Sequence, residues 1–132
     1  MNKQKKNISI AIPTYNSSAY LNLLIKQLSK SSVVNEIVIS DDGSESSEIK
    51  NIKKIISKNN NYFPKINFKI LENSKRSGPF INKYLCIENC NNDLVYQIDS
   101  DNLPMLNFDK FVKNNLIPNF VKDNIYYPSK IF

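Results

Sequence analysis

Histidine is absent from the 132 residues, and cysteine occurs only as Cys86 and Cys90. Four residues apart and without a CxxC, these two thiols are too few soft ligands for a zinc site. They are expected to be buried, reduced thiols. Arginine occurs once, as Arg76, so the positive charge is almost entirely lysine. A nucleic-acid groove wants arginines interleaved with aromatics, and no stretch here has that character, which argues against a nucleic-acid partner. Apolar runs are short, far below the roughly 20 residues that span a bilayer. No apolar segment follows the basic start from Met1 to Lys6, which argues against a secretory leader and for a cytoplasmic protein.

What is present is a basic chain with a normal core. The net charge is +6 and the pI is near 9.3, a balance that favours anionic partners such as nucleotides or an acidic membrane surface. Peripheral attachment at the inner face of a membrane is therefore an expectation. A hydrophobic fraction of 41% and a charged fraction of 23% are those of a soluble domain. The length fits one domain, residues 1–132, with no linker or internal repeat.

Strand and helix patterns alternate. Ile8-Ser9-Ile10-Ala11-Ile12 alternates and stops at Pro13, which predicts a first strand. The loop from Thr14 to Ser18 offers N-cap residues, and Leu21, Leu24, Ile25 and Leu28 have the spacing of one buried helix face. Glu36 to Ser40 predicts a second strand, ending in Asp41-Asp42-Gly43-Ser44. A helix follows with Glu45 and Glu48 early and Ile49, Ile52, Ile55 and Ile56 on its inner side. Asn59-Asn60-Asn61 is expected to break it. Ile66, Phe68 and Ile70 alternate through a third strand. After the polar loop from Asn73 to Gly78, Pro79 suits the first turn of a third helix, with Phe80, Ile81, Tyr84, Leu85 and Ile87 as a broad apolar face. Leu94 to Ile98 predicts a fourth strand. Phe108, Phe111, Val112 and Leu116 suggest a helix interrupted by Pro118, and Ile125-Tyr126-Tyr127 a last short strand. Such alternation implies an α/β fold, a three-layer α/β/α sandwich on a mostly parallel sheet. Ligands on such sheets bind beyond the carboxyl ends of the strands.

Three polar clusters fall at those ends: Pro13 to Asn16, Asp41 to Ser44, and Asp99 to Asn102. Asp99-Ser100-Asp101 is the most telling. In an extended segment residues i and i+2 point the same way, so both carboxylates can face one point past the strand. Two hard oxygen ligands suit Mg²⁺ or Mn²⁺, which keeps its other sites for water and phosphate. A capped turn after a strand has the same pattern.

These motifs resemble those of the family 2 glycosyltransferases, with their Rossmann-like GT-A fold. ISIAIPTYNSSAYL resembles the family's first strand and its Pro-x-Tyr-Asn loop, EIVISDDGS the second strand with its Asp-Asp-Gly-Ser end, and LVYQIDSDN the strand that leads into Asp-x-Asp. Gly78, 21 positions before Asp99, matches the glycine that leads the third helix. The resemblance spans this chain but only the nucleotide-sugar-binding half of a typical member, so the acceptor half and its general base are not expected here.

The resemblance implies a metal-dependent transfer of a sugar from a nucleotide-diphosphate donor, a UDP-sugar foremost, to an acceptor hydroxyl with inversion. Pro13, Thr14, Tyr15 and Asn16 would line the base pocket, Tyr15 as its aromatic wall. Asp41 would accept a hydrogen bond from the base, with Asp42, Gly43 and Ser44 shaping the loop beneath. Asp99, Ser100 and Asp101 would face ribose, metal and diphosphate, with Asp99 and Asp101 as the Mn²⁺ or Mg²⁺ ligands and Asp101 as the favoured direct one. Gly78 and Lys83 would complete the nucleotide site. Asn82-Lys83-Tyr84 stands where many members have Ala-Arg-Asn, so Lys83 brings a point charge without the planar fork. Lys75 and Arg76 suit a solvated basic face. The alternative is a donor-binding module without turnover. A haloacid-dehalogenase-type phosphatase would want its Asp-x-Asp on the first strand, and a receiver domain an acidic pair there; neither matches.

Overall fold

A computed structural model describes residues 6–122 and 124–125. Four parallel strands, β1 (Ile8–Thr14), β2 (Val34–Asp41), β3 (Asn67–Glu72) and β4 (Val95–Gln97), form one sheet in the order β3-β2-β1-β4. The first two crossovers are α1 (Ser18–Ser29) and α2 (Ser46–Tyr62), which pack on each other. Then the order reverses. The third crossover, α3 (Pro79–Glu88), runs against β1 and β2 and delivers β4 to the far side of β1. Because right-handed crossovers in opposite directions put their helices on opposite faces, the reversal makes three layers from one sheet.

The strand sequences fit these two faces. Ile8, Ile10, Ile12, Ile37 and Ile39 join Leu21, Leu24, Ile25, Leu28 and Ile52 in the main core. Each such fully buried side chain is worth about 1.5–3 kcal/mol relative to exposure. The alternate positions are small: Ala11 and Val38 meet Cys86 of α3 in a second cluster. Cys86 is buried and Cys90 half-buried, both free thiols. Burial pushes each thiol up to about 12, with the neighbouring Cys90 adding to it for Cys86 and Glu36 for Cys90.

Several expectations change. The asparagine run does not end α2, which continues to Tyr62. Asn59 is buried, and its side-chain amide donates to the Ile55 carbonyl at 2.8 Å, one of the local partners that lets asparagine sit inside a helix. The apolar side chains of α3 do not make its buried face. Asn82 and Cys86 do, whereas Phe80 is 85% and Tyr84 58% exposed, and Ile81 and Ile87 are also exposed. A helix lying on small strand residues comes close through its own short side chains, and the large ones are left outside. The last helix, α4 (Phe108–Phe111), widens into a π-helical turn, Val112–Leu116, where the Ile117 N–H donates to the Val112 carbonyl at 2.9 Å. Pro118 follows; it has no N–H to give, and its ring crowds the carbonyl four residues back. The expected strand at 125–127 lies largely outside the described residues.

At the amino ends of the strands, Glu36 is buried. It accepts hydrogen bonds from the Ser9 hydroxyl at 2.6 Å and the Asn91 N–H at 2.7 Å, and from the Asn91 side-chain amide. Burial acts to raise its carboxyl, but these bonds and the charge of Lys69 outweigh it and hold it below its ordinary value of 4.5. A carboxyl depressed on folding adds stability above its unfolded pKa, and that stability is lost as pH falls through the lower folded value. Glu36→Gln should therefore cost about 1–3 kcal/mol at pH 7. Its deficit against wild type should shrink below pH 4.5 in thermal melts; a deficit independent of pH would contradict this.

Candidate functional site

The carboxyl ends of β1, β2 and β4 are tied together by short polar bonds. Thr14 Oγ1 lies 2.8 Å from Ser17 Oγ, which lies 2.6 Å from Ser100 Oγ. Ser17 is the N-cap of α1, yet its hydroxyl makes no capping bond. Glu48 of α2 accepts the Ser18 N–H instead, at 2.9 Å, freeing Ser17 to join the first strand loop to the last. Asn16, in the left-handed region at φ 47, donates its N–H to Ser44 Oγ at 2.8 Å. The Asp42 N–H donates to the Thr14 carbonyl at 3.0 Å. Beneath them Asn82 accepts from Ser40 Oγ at 2.6 Å and donates to the Ser40 carbonyl at 3.0 Å and to that of Thr14 at 3.4 Å.

Asp99-Ser100-Asp101 is a turn and not an extended segment. The Asn102 N–H donates to the Asp99 carbonyl at 3.0 Å, so the chain folds back at once after β4. Ser100 is buried against Ser17, and both flanking carboxylates are left at the mouth of a cleft of about 340 Å³. Asp99 accepts from the Gln97 amide at 2.9 Å, and the Lys83 ammonium lies 3.0 Å from its Oδ1. Asp101 is exposed and has no ion pair among the described residues. On the other side of the cleft, the Arg76 guanidinium stacks over Tyr15, 4.0 Å from the ring centroid.

The cleft lining includes Pro13, Thr14, Tyr15, Asp42, Lys83, Asp99, Ser100 and Asp101 from the predicted set. Asn16, Asp41, Gly43 and Gly78 are not part of that lining. Asp41 is fully buried, both of its oxygens taken by Ser44, from the N–H at 2.8 Å and the hydroxyl at 2.6 Å. Asp42 faces the cleft and anchors the entry to α3, accepting from the Ser77 N–H at 2.7 Å and the Gly78 N–H at 3.0 Å. Sequence reasoning missed Ser17, Tyr20, Arg76, Pro79 and Asn82 as lining. The signal for Arg76 was its solitude in a lysine-rich chain. A second hollow, of about 500 Å³, lies between the end of α1 and residues 103–109, away from these strand ends.

Of the three carboxylates lining the cleft, Asp42 is bonded to Ser77 and Gly78, which leaves Asp99 and Asp101 as the candidate cation ligands. Among the described residues no group of three or more His, Cys, Asp or Glu side chains gathers around one point. Two hard oxygens fit an ion that takes its remaining ligands from phosphate and water.

Gly43 is where the second loop meets the third. Its φ is +78, and a Cβ there would stand 2.9 Å from the Arg76 backbone nitrogen. Gly43→Ala should lower stability by about 1–3 kcal/mol, read as a lower denaturation midpoint; an unchanged midpoint would contradict the close approach.

The sequence profile described as "Glycosyl transferase family 2" matches residues 9–113. Among curated protein sequences none matches significantly. Many solved structures share the fold, two of them as follows. A mannosyltransferase, PcManGT from Pyrobaculum calidifontis, determined in complex with GDP-Man and Mn²⁺, superimposes with a TM-score of 0.66 at 15% identity, over 77% of this chain and 29% of that one. TarS 1-349 from S. aureus does so with a TM-score of 0.63 at 24% identity, over 81% of this chain and 30% of that one. The chain thus spans under a third of the length of these neighbours. With a profile match over most of its length and a GT-A fold, the chain belongs to glycosyltransferase family 2.

Proposed function

We propose that the cleft holds the donor of a glycosyl transfer, a nucleotide-diphosphate sugar, and that the sugar passes to an acceptor hydroxyl with inversion. The observation that carries this reading is one opening, at the reversal of strand order, lined by the Tyr15 ring, Arg76, the Lys83–Asp99 pair and the unpaired carboxylate of Asp101. Each suits one part of the ligand. The Tyr15 ring offers a stacking surface for the base, and its neighbour Arg76 can follow either the base or a phosphate. Asp42 lines the cleft with its oxygens bonded to Ser77 and Gly78, and would shape the wall of the base pocket, while Asp41 is enclosed by Ser44. Lys83 supplies positive charge for the diphosphate, as a point charge. Asp99 and Asp101 would hold Mn²⁺ or Mg²⁺. When bound, such an ion would neutralise charge on the departing diphosphate.

The chain's own residues would bind and orient. The Thr14–Ser17–Ser100 hydroxyl chain and Asn82 fix the loops that carry the contacts, so little ordering remains at binding. An inverting displacement also needs a base on the acceptor side, and no residue of this cleft is assigned that part. The isolated 132-residue chain is thus expected to bind donor with little turnover. A UDP-sugar is the favoured donor. GDP enters the same test because the mannosyltransferase neighbour was determined with GDP-Man and Mn²⁺.

Titration calorimetry with UDP and GDP, with and without Mn²⁺, tests the reading. At least one should bind, more tightly by about tenfold or more with the ion, and Asp101→Ala should remove that gain while its thermal melt stays near wild type. Absent or ion-independent binding would overturn it.

A further inference from the structure

Lys83 and Asp99 are charges from different elements that meet inside the cleft. The Lys83 ammonium lies 3.0 Å from Asp99 Oδ1 and 3.3 Å from Oδ2, so it faces the whole carboxylate. Its root is fixed: α3 is held by its neighbour Asn82, which binds the carbonyls of Thr14 and Ser40. The Asp99 side is fixed as well, by the Gln97 amide at 2.9 Å. Asp101, two residues on, has no such counter-charge among the described residues. The pair is therefore asymmetric, one carboxylate matched and the other bare.

We propose that Lys83 is a built-in counter-ion that occupies Asp99 in the empty cleft and moves to the diphosphate when a divalent cation takes its place. The inference rests on the donor-site reading above and adds a positioning role to it. An ammonium and a divalent cation compete for the same two oxygens, and the like charges repel at this range. The cation alone consequently binds weakly. With a nucleoside diphosphate present, the displaced ammonium gains phosphate oxygens as partners, so cation and diphosphate bind as a set. Lys83 is half-exposed on a four-carbon stem, which gives it the reach and freedom to change partner. Arg76 does not fill this counter-ion role, because its guanidinium lies over Tyr15 and not against Asp99.

The test uses the full chain and two ligands, Mn²⁺ alone, followed by the electron paramagnetic signal of the free ion, and UDP or GDP at saturating Mn²⁺. Lys83→Met should bind Mn²⁺ alone about three- to fivefold more tightly than wild type, and should bind the nucleoside diphosphate about tenfold more weakly. Lys83→Arg, which keeps the charge, should return Mn²⁺ affinity to the wild-type value or below. These opposite signs separate counter-ion exchange from a structural role, which would weaken both ligands or neither. Unchanged or weaker Mn²⁺ binding by Lys83→Met would overturn the inference, even with ion-dependent nucleotide binding by wild type intact. If neither wild type nor variant binds Mn²⁺ or nucleotide, the donor-site reading falls and this inference with it.

Discussion

The reversal of strand order beside β1 is the constraint on which the site depends. β2 lies on one side of β1 and β4 on the other, so their connecting loops diverge and leave an opening above β1. Left alone, such an opening would be loose, because loops carry few buried apolar contacts. Here it is closed from below by side-chain polar bonds at short range. Ser17 joins Thr14 to Ser100, and Asn82 joins β1 to β2. Buried polar groups of this kind specify geometry when their partners are satisfied, and the cleft inherits its shape from them.

The electrostatics of the opening differ from those of the chain as a whole. A net charge of +6 draws anionic ligands in general, but the cleft lining carries carboxylates from the loops after both β2 and β4. Asp42 spends its oxygens on the backbone at the start of α3, and Asp99 is matched by Lys83. Only Asp101 projects a bare negative charge. That arrangement suits a composite ligand, part cation and part polyanion, better than either alone. No helix among the described residues is long and apolar enough to cross a membrane.

The strand-end clusters were legible because they combine two independent signals, apolar alternation and an abrupt polar stop. The α1 stripe was legible for a similar reason: Leu21, Leu24, Ile25 and Leu28 are all fully buried. Less legible was anything decided by a neighbour. The α3 face was misjudged because periodicity reports which residues are apolar, whereas packing on Ala11 and Val38 selected Cys86 and bonds to Ser40 and Thr14 selected Asn82. Asp41 and Asp42 look alike in sequence, and only the Ser44 and Ser77 partners separate the enclosed carboxylate from the cleft-facing one. The Asp99–Asn102 turn likewise hides behind an apolar strand pattern, since its defining bond is backbone to backbone.

A nitrogen–proton correlation spectrum of the labelled chain, titrated with UDP or GDP in the presence of Mg²⁺, tests the central claim most directly. The account predicts that shifts concentrate at Thr14 to Ser17, Asp42, Arg76 to Gly78 and Asp99 to Asn102. Shifts confined to the hollow at residues 103–109, or none at all at saturating ligand, would contradict it.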